Sequence, residues 1–92
     1  MTDQETTLFK LLDEYVRNHH QCSLTEMFVG RDKSQYSLCF RPTDVAKDDP
    51  SRFACRYVTV DVQEALASTS ALRLSPKMAA VLDKELSPLR AS

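Results

Sequence analysis

Apolar side chains recur every three or four positions near the amino terminus of the chain. The repeat consists of Leu8, Leu11, Leu12, Tyr15, Val16 and His19. Because an α-helix has about 3.6 residues per turn, these positions form one continuous stripe and predict a helix over residues 6–19. Either the Thr2-x-x-Glu5 pattern or the Thr6-Thr7 pair can cap the start of this helix.

The next segment, residues 22–30, fits two kinds of secondary structure. Ser23-x-x-Glu26 has the form of a helix-capping box, and Gly30 suits the position just beyond a helix end. The same residues also alternate as a short strand with apolar side chains on both faces. The polar run over residues 31–34 is typical of a hairpin connection, and it favours the strand.

Two further runs alternate in the manner of β-strands. In residues 35–41 every second side chain is apolar, and Pro42 is expected to end this strand because it lacks a backbone donor. Charged residues and a proline-containing turn signal predict an exposed loop over residues 43–52. Residues 53–62 are the second clear strand, and apolar groups on both of its faces predict a central place in the sheet.

The rest of the chain is predicted to be helical. Asp61-x-x-Glu64 can cap a short turn over residues 63–67, which the serine and threonine run at residues 68–70 is expected to break. A longer helix then begins at Ser75-Pro76, a specific start signal, and Ser87-Pro88 is expected to end it. One stripe along this helix consists of Met78, Val81, Leu82, Glu85, Leu86 and Leu89.

These elements predict an α+β fold, with a small antiparallel sheet of about three strands packed with an N-terminal and a C-terminal helix. The length suits a single α+β domain over residues 1–92. The two helical stripes either pack into the core of this domain or leave one face for a partner or a second copy. Core packing is the more frequent arrangement.

The composition excludes several classes of function. With Gly30 as the only glycine, the chain cannot build the phosphate-cradling loops of nucleotide-binding sites, which need several glycines. No apolar run approaches the roughly 18 residues of a transmembrane helix, so no membrane partner is expected. The acidic N-terminus is unlike a signal peptide, and the three widely spaced cysteines are expected to be reduced thiols in a cytoplasmic protein.

Side chains that could ligate a metal are few and scattered. His19, His20 and Cys22 lie close together in the sequence, whereas Cys39 and Cys55 are remote and no CxxC spacing occurs. Because a zinc site needs about four ligands, neither a metal nor another cofactor is predicted. A Cys22–histidine nucleophile would also need an orienting group and an oxyanion hole. The sequence shows neither, so no catalytic residues and no enzymatic activity are predicted.

Charge is distributed unevenly along the chain. Residues 1–30 carry two basic and five acidic side chains, a net charge of −3, whereas residues 31–56 carry six basic and four acidic ones, a net charge of +2. The side chains predicted to contact a partner or nucleic acid are Arg31, Lys33, Arg41, Arg52 and Arg56. Arginine suits bidentate contacts to phosphate or carboxylate groups.

Aromatic residues are interleaved with this basic stretch, as on surfaces that stack on bases. They are Tyr36, Phe40, Phe53 and Tyr57. The same aromatics also alternate as core residues do, and scattered surface arginines need no ligand. The sequence leaves both interpretations open.

In size and general character the chain resembles the small phage-encoded anti-CRISPR proteins that block type I guide-RNA surveillance complexes. The shared features are a short, nearly glycine-free α+β pattern, no catalytic or metal signature, and a modest basic edge; that group has no common motif. The resemblance implies a non-enzymatic inhibitor that binds Cas subunits or guide RNA of the host nucleoprotein complex and blocks target DNA binding or cleavage. The alternative is a small cytosolic adaptor, chaperone or antitoxin-like regulator that forms a homodimer through an amphipathic helix.

Overall fold

The computed structural model describes residues 2–43 and 56–90 of the chain. It confirms the predicted α+β fold, and the described residues form three antiparallel strands in one sheet and three helices. The elements are α1 (Asp3–His20), β1 (Cys22–Val29), β2 (Gln35–Pro42), β3 (Arg56–Asp61), α2 (Val62–Ala71) and α3 (Pro76–Arg90). The predicted loop after Thr43 and the predicted start of β3 at residues 53–55 lie outside the described residues.

Hydrogen bonds donated by backbone N–H groups fix both ends of the first helix. The N–H of Glu5 donates to Oγ1 of Thr2 at 3.1 Å, and the N–H of Thr2 donates to Oε1 of Glu5 at 2.9 Å. These two bonds form the capping box that the Thr2-x-x-Glu5 pattern predicts. Gln21 ends the helix in the left-handed region, with φ of 53°, and its N–H donates to the carbonyl of Val16.

The segment that fitted two structures is a strand. Residues 22–29 form β1, which pairs antiparallel with β2, so the interpretation favoured by the polar hairpin run is confirmed. The pairing register shifts between Leu24 and Glu26, which makes Thr25 the extra residue of a β-bulge. The hydroxyl of Thr25 donates to the carbonyl of Cys39 at 3.0 Å, so the bulge retains a bond to β2.

The tight turn of this hairpin closes through two backbone bonds. The N–H of Gly30 donates to the carbonyl of Gln35 at 2.9 Å, and the N–H of Lys33 donates to the carbonyl of Gly30 at 3.0 Å. Lys33, with φ of 60°, takes the left-handed conformation here. The only glycine of the chain is therefore not the residue that reverses the turn.

The prediction that the third strand is central in the sheet is wrong for the described sheet. The sheet has the order β1-β2-β3, so β2 is central and β3 is the edge strand of the described sheet. The apolar residues of β3 that face the helices are Val58 and Val60, whereas Tyr57 and Thr59 on its other face are exposed. The apolar residues on both faces of this strand predicted that both faces are buried, whereas the structure buries only the face that carries Val58 and Val60.

Pro42 is the last residue of β2 rather than the residue that ends it. The bond from Gly30 to Gln35 shows that odd-numbered residues of β2 direct their backbone groups toward β1. The nitrogen of Pro42 therefore points away from β1. Its missing N–H removes no bond from the pairing with Cys22, so the strand can include the proline.

The second helix is longer than predicted. Asp61 caps it, since its Oδ2 accepts the N–H of Glu64 at 3.0 Å. The hydroxyls of Ser68, Thr69 and Ser70 donate to helix carbonyls three or four residues earlier instead of breaking the helix. The backbone reverses only at Leu72, in the left-handed region.

Leu72 gives a direct test of this backbone reversal. Its φ is 58° and its side chain is 72% exposed, so a bulky residue occupies a position that favours glycine without gaining burial. We expect Leu72→Gly to raise the free energy of unfolding by up to about 1 kcal/mol, because relief of the left-handed strain exceeds the added unfolded-state entropy. Urea denaturation measures the change, and Leu72→Ala, which keeps the Cβ, is the control. A destabilised glycine variant would contradict the strain argument.

The third helix begins where predicted but ends later. Oγ of Ser75 accepts the N–H of Met78 at 3.2 Å, which confirms the Ser75-Pro76 start. The helix continues to Arg90, beyond the predicted end at Ser87-Pro88. A proline in the last turn removes one backbone bond and already has a helical φ, so it does not stop the helix there.

The core lies between one face of the sheet and the helices. The stripes of both long helices contribute to it, as Leu8, Leu12 and Val16 from α1 and Met78, Leu82 and Leu86 from α3. The sheet contributes Leu24, Tyr36, Leu38, Phe40, Val58 and Val60. Both stripes therefore pack into the core, which is the more frequent of the two arrangements that the sequence leaves open.

Candidate binding surface

The face of the sheet opposite the helices presents polar and aromatic side chains. The pairing register places these side chains on it: Glu26 and Phe28 of β1, Ser37, Cys39 and Arg41 of β2, and Tyr57 and Thr59 of β3. Cys39, on the central strand, is itself buried, at 2% exposure. We call this set the helix-free face, because none of the three helices formed by residues 2–43 and 56–90 packs on it. One row across the strands is Phe28–Ser37–Thr59, and the next is Glu26–Cys39–Tyr57.

Two aromatic rings on this face are open to solvent. Phe28 is 51% exposed and Tyr57 is 62% exposed. They lie on the two outer strands and one row apart, which from standard strand spacings places them about 12 Å from each other. Exposed rings on one face of a small antiparallel sheet are a surface on which planar groups, such as nucleic-acid bases or arginine side chains, can stack.

The predicted basic residues do not form one continuous edge. Arg31 and Lys33 lie exposed in the turn between β1 and β2, whereas Arg41 lies near the far end of β2, about 20 Å away at standard strand rise. Asp32 lies between the first two, and a hydrogen bond from the N–H of Ser34 lowers the pKa of its carboxyl. The turn therefore carries a net charge of +1, from two basic side chains and one acidic.

Arg56 lies on the other side of the sheet from Arg41. It pairs with Phe40 in register and so faces the helices. Its Nε donates to the backbone carbonyl of Glu85 at 3.1 Å, and its Nη2 lies 3.5 Å from the Glu85 carboxylate. Arg56 is thus engaged by α3. Arg52 lies outside the described residues, and a binding role for any of the five remains a prediction.

A polar cluster joins the first and third helices. Oδ1 of Asp83 on α3 accepts a bond from the Tyr15 hydroxyl at 2.8 Å and lies 2.7 Å from Nε2 of His20. His19 packs against the Tyr15 ring, with centroids 4.4 Å apart. His20 is buried, at 6% exposure, and its Nδ1 has no hydrogen-bond partner. Asp83 therefore provides the hydrogen bond that lets His20 lie between the helices.

The cluster changes the acidity of its members. Burial and the hydrogen bond and charge of Asp83 raise the pKa of Tyr15 to about 12. Burial raises the pKa of Asp83, but the bonds from Tyr15 and His20, together with the charges of His20 and His19, outweigh it and lower the pKa overall. An ionised carboxylate only accepts hydrogen bonds, so Nε2 of His20 carries the hydrogen that it shares with Asp83.

A shallow cleft lies beside this cluster, between α1 and the connection from α2 to α3. Its volume is about 400 Å³. It is lined by Leu11, Glu14, Tyr15, Asn18, His19, Leu72, Arg73, Leu74 and Ala79. The lining mixes one acidic and one basic side chain with leucines, and the hydroxyl of Tyr15 is already bonded to Asp83.

In the residues that it describes, the structure gives no geometric support to the two kinds of chemistry weighed from the sequence, a Cys22–histidine nucleophile and a metal site. Cys22 is 1% exposed and its thiol donates to the carbonyl of His20 at 3.2 Å, so it is not presented to a substrate in solution. Within residues 2–43 and 56–90, no three histidine, cysteine, aspartate or glutamate side chains are grouped so that they could hold a metal ion. Across the same residues, no helix has the length and apolar character needed to cross a membrane.

Two features of these sites were not predicted from the sequence. Phe28 was not among the aromatics singled out, and two that were, Tyr36 and Phe40, are buried in the core. The pair of His20 and Asp83 joins residues 63 positions apart. The sequence signal for Phe28 was its place in a strand with apolar residues on both faces, whereas no sequence pattern marked the histidine–aspartate pair.

The fold and these surfaces define a small α+β domain, with helices on one face of a three-stranded antiparallel sheet and exposed aromatic rings on the other. Searches of known protein families, of curated protein sequences and of solved structures found no significant match to this chain.

Proposed function

We propose that the protein is a non-enzymatic inhibitor that docks on a host nucleoprotein complex through the helix-free face of its sheet. The observation that carries this proposal is the pair of exposed rings, Phe28 and Tyr57, on a face that none of the three helices covers. Rings held on a rigid sheet contact bases or partner side chains with little loss of conformational freedom. Large aromatic side chains are also the commonest sources of binding energy at protein interfaces.

Basic side chains near this face favour a partner that contains phosphate or carboxylate groups. Arg31 and Lys33 extend from the turn at one end of the face, and Arg41 lies on the face near the other end. Since the whole chain has a net charge of −1, long-range attraction to nucleic acid is weak. A composite surface of RNA and protein suits such a chain better than naked nucleic acid does.

The resemblance to anti-CRISPR proteins narrows the proposed partner to a type I surveillance complex. In this proposal the protein occupies Cas subunits, guide RNA or both, and so prevents target DNA from binding or being cleaved. The rival proposal, an adaptor that dimerises through an amphipathic helix, has less support. The stripes of α1 and α3 that would form its interface lie in the core.

The test measures binding of the purified chain to a purified type I surveillance complex, and to its guide RNA alone, at low and high salt. We expect Phe28→Ala to weaken binding to the complex by roughly tenfold or more, as for an aromatic hot spot, and Phe28→Tyr to retain it. We expect Arg31→Glu to weaken binding and to reduce its salt dependence.

Lys10→Glu is the matched control for the charge reversal, since Lys10 is exposed on α1 and remote from the sheet face. It changes the net charge by the same amount and is expected to bind as the wild type does. Full affinity of both Phe28→Ala and Arg31→Glu would contradict the assignment of this surface. Failure of the wild type to bind any type I complex would contradict the proposed partner.

A further inference from the structure

A groove runs along the outer edge of β3, between that strand and α3. Two adjoining pockets, of about 90 and 170 Å³, form it. Thr59 and Val81 line both pockets and so mark the middle of the groove. Asp61 and Lys77 lie at one end, and Glu85 lies at the other. The strand and the helix therefore run antiparallel along the groove.

The strand side of the groove offers backbone groups for pairing. The N–H of Val62 donates to the carbonyl of Ser34 at 3.0 Å, so even-numbered residues here direct their backbone groups toward the hairpin. Backbone direction alternates along a strand, and the N–H and carbonyl of Thr59 consequently point into the groove. No strand of the described sheet lies beyond this edge.

Each end of the groove carries charges of both signs, with Asp61, Glu64 and Lys77 at one end and Arg56 and Glu85 at the other. Glu64 lies at the same end as Lys77, and Arg56 is held against Glu85 at the other end. If the groove is turned by 180° about its middle, Lys77 meets Glu85 of the second copy and Glu64 approaches Arg56 of that copy. A surface that is complementary to itself under this rotation has the property required of a twofold interface.

We infer that the protein forms a homodimer in which the β3–α3 grooves of two copies face each other about a twofold axis near Thr59 and Val81. The two β3 strands run antiparallel, and Val81 of each copy meets Val81 of the other. Residues 57–61 of the strand and 77–85 of the helix each span about 12–13 Å at standard rises. The strand and helix contacts therefore extend over the same length.

This interface is independent of the proposed function. It uses the outer edge of β3 and the adjacent side of α3. Tyr57 lines this groove as well as lying on the helix-free face, whereas Phe28 and Arg31, the residues changed in the test of the proposed function, lie on β1 and in the first hairpin. It also differs from dimerisation through an amphipathic stripe, because the apolar stripes remain in the core.

Sedimentation velocity across a concentration series, with four chains, tests the inference. We expect the wild type to dimerise, and Lys77→Glu or Glu85→Lys alone to raise the dimer dissociation constant at least about tenfold, since each places two like-charged pairs in the interface. The double variant Lys77→Glu/Glu85→Lys restores both pairs in reversed sense. Because Glu85→Lys also removes the ion pair with Arg56 of the same copy, we expect a dissociation constant below those of both single variants rather than a full return to the wild-type value.

A second pair of variants tests the strand contact. Thr59→Pro removes an N–H that points into the groove and is expected to weaken the dimer, whereas Thr59→Val keeps that N–H and is expected to dimerise normally. A wild-type chain that is monomeric up to about 1 mM would overturn the inference. A dimer that the two single charge reversals do not weaken, or a double variant that dimerises no more tightly than the single variants, would also overturn it. We expect Lys77→Glu to bind the partner as the wild type does. A failure of the dimer inference can then be distinguished from a failure of the proposed function.

Discussion

Phe40→Ala is expected to lower the free energy of unfolding by about 3–5 kcal/mol, the usual cost of removing a phenyl ring from a well-packed core. Phe40 is fully buried and lies on β2, the central strand. For a domain of this size, a loss of 1 kcal/mol lowers the melting temperature by about 4–8 °C. Since small domains have only about 5–15 kcal/mol of stability, this one change removes a large share of it.

Phe28→Ala is the matched control for this measurement. It deletes the same ring from the neighbouring strand, at a position 51% exposed on the helix-free face. We expect a loss of about 1 kcal/mol or less, because less apolar surface leaves a buried environment. Urea denaturation of the two variants measures both changes. A similar destabilisation by both would contradict the assignment of one ring to the core and the other to a binding surface.

Asp83→Ala is expected to destabilise the protein by about 1–2 kcal/mol at neutral pH. The change removes the acceptor of Tyr15 and of His20. His20 is buried and its Nδ1 already lacks a partner, so the loss leaves both ring nitrogens without a protein hydrogen bond. The carboxylate itself is half exposed, so water replaces part of its role and keeps the cost moderate. Tyr15→Phe, which removes only the hydroxyl, separates the contribution of the tyrosine.

The pH dependence of stability gives a second readout for Asp83. Because the pKa of Asp83 is lowered in the folded protein, the unfolded chain binds its proton first as the pH falls. The stabilisation from Asp83 is therefore present above its unfolded pKa, about 3.9, and is lost as the pH falls through the lower folded value. Asp83→Ala should show a shallower decline over this acid range. An unchanged acid profile would show that Asp83 is not held by this cluster.

Local signals in the sequence predicted most of the fold because the bonds that define the elements are local. The Thr2–Glu5 capping box and the Ser75 cap form within three or four residues. The second helix was predicted too short, because serine and threonine were expected to compete with the helix backbone. Their hydroxyls at Ser68 and Thr69 instead bond to carbonyls of the same helix.

The helix-free face was harder to predict, because the side of the sheet on which Phe28 lies depends on one extra residue in β1. Without a bulge, Phe28 would share a face with Leu24 and point toward the core. The bulge at Thr25 shifts the alternation, so that Met27 faces the helices and Phe28 faces outward. Neither this shift nor the edge position of β3 follows from alternation alone, since both depend on pairing between distant residues.

The junction between β3 and α2 links the hairpin to the helical layer. Asp61 is both the last residue of β3 and the cap of α2, so no flexible residue separates the two elements. The amide of Val62 donates to Ser34 at the end of the hairpin turn. A bound partner that displaces the turn must therefore lengthen the bond between Val62 and Ser34 or move α2 together with the turn. If a partner binds the turn, as we propose, we expect the exchange of the Val62 amide with deuterium to change, because this amide is bonded to Ser34.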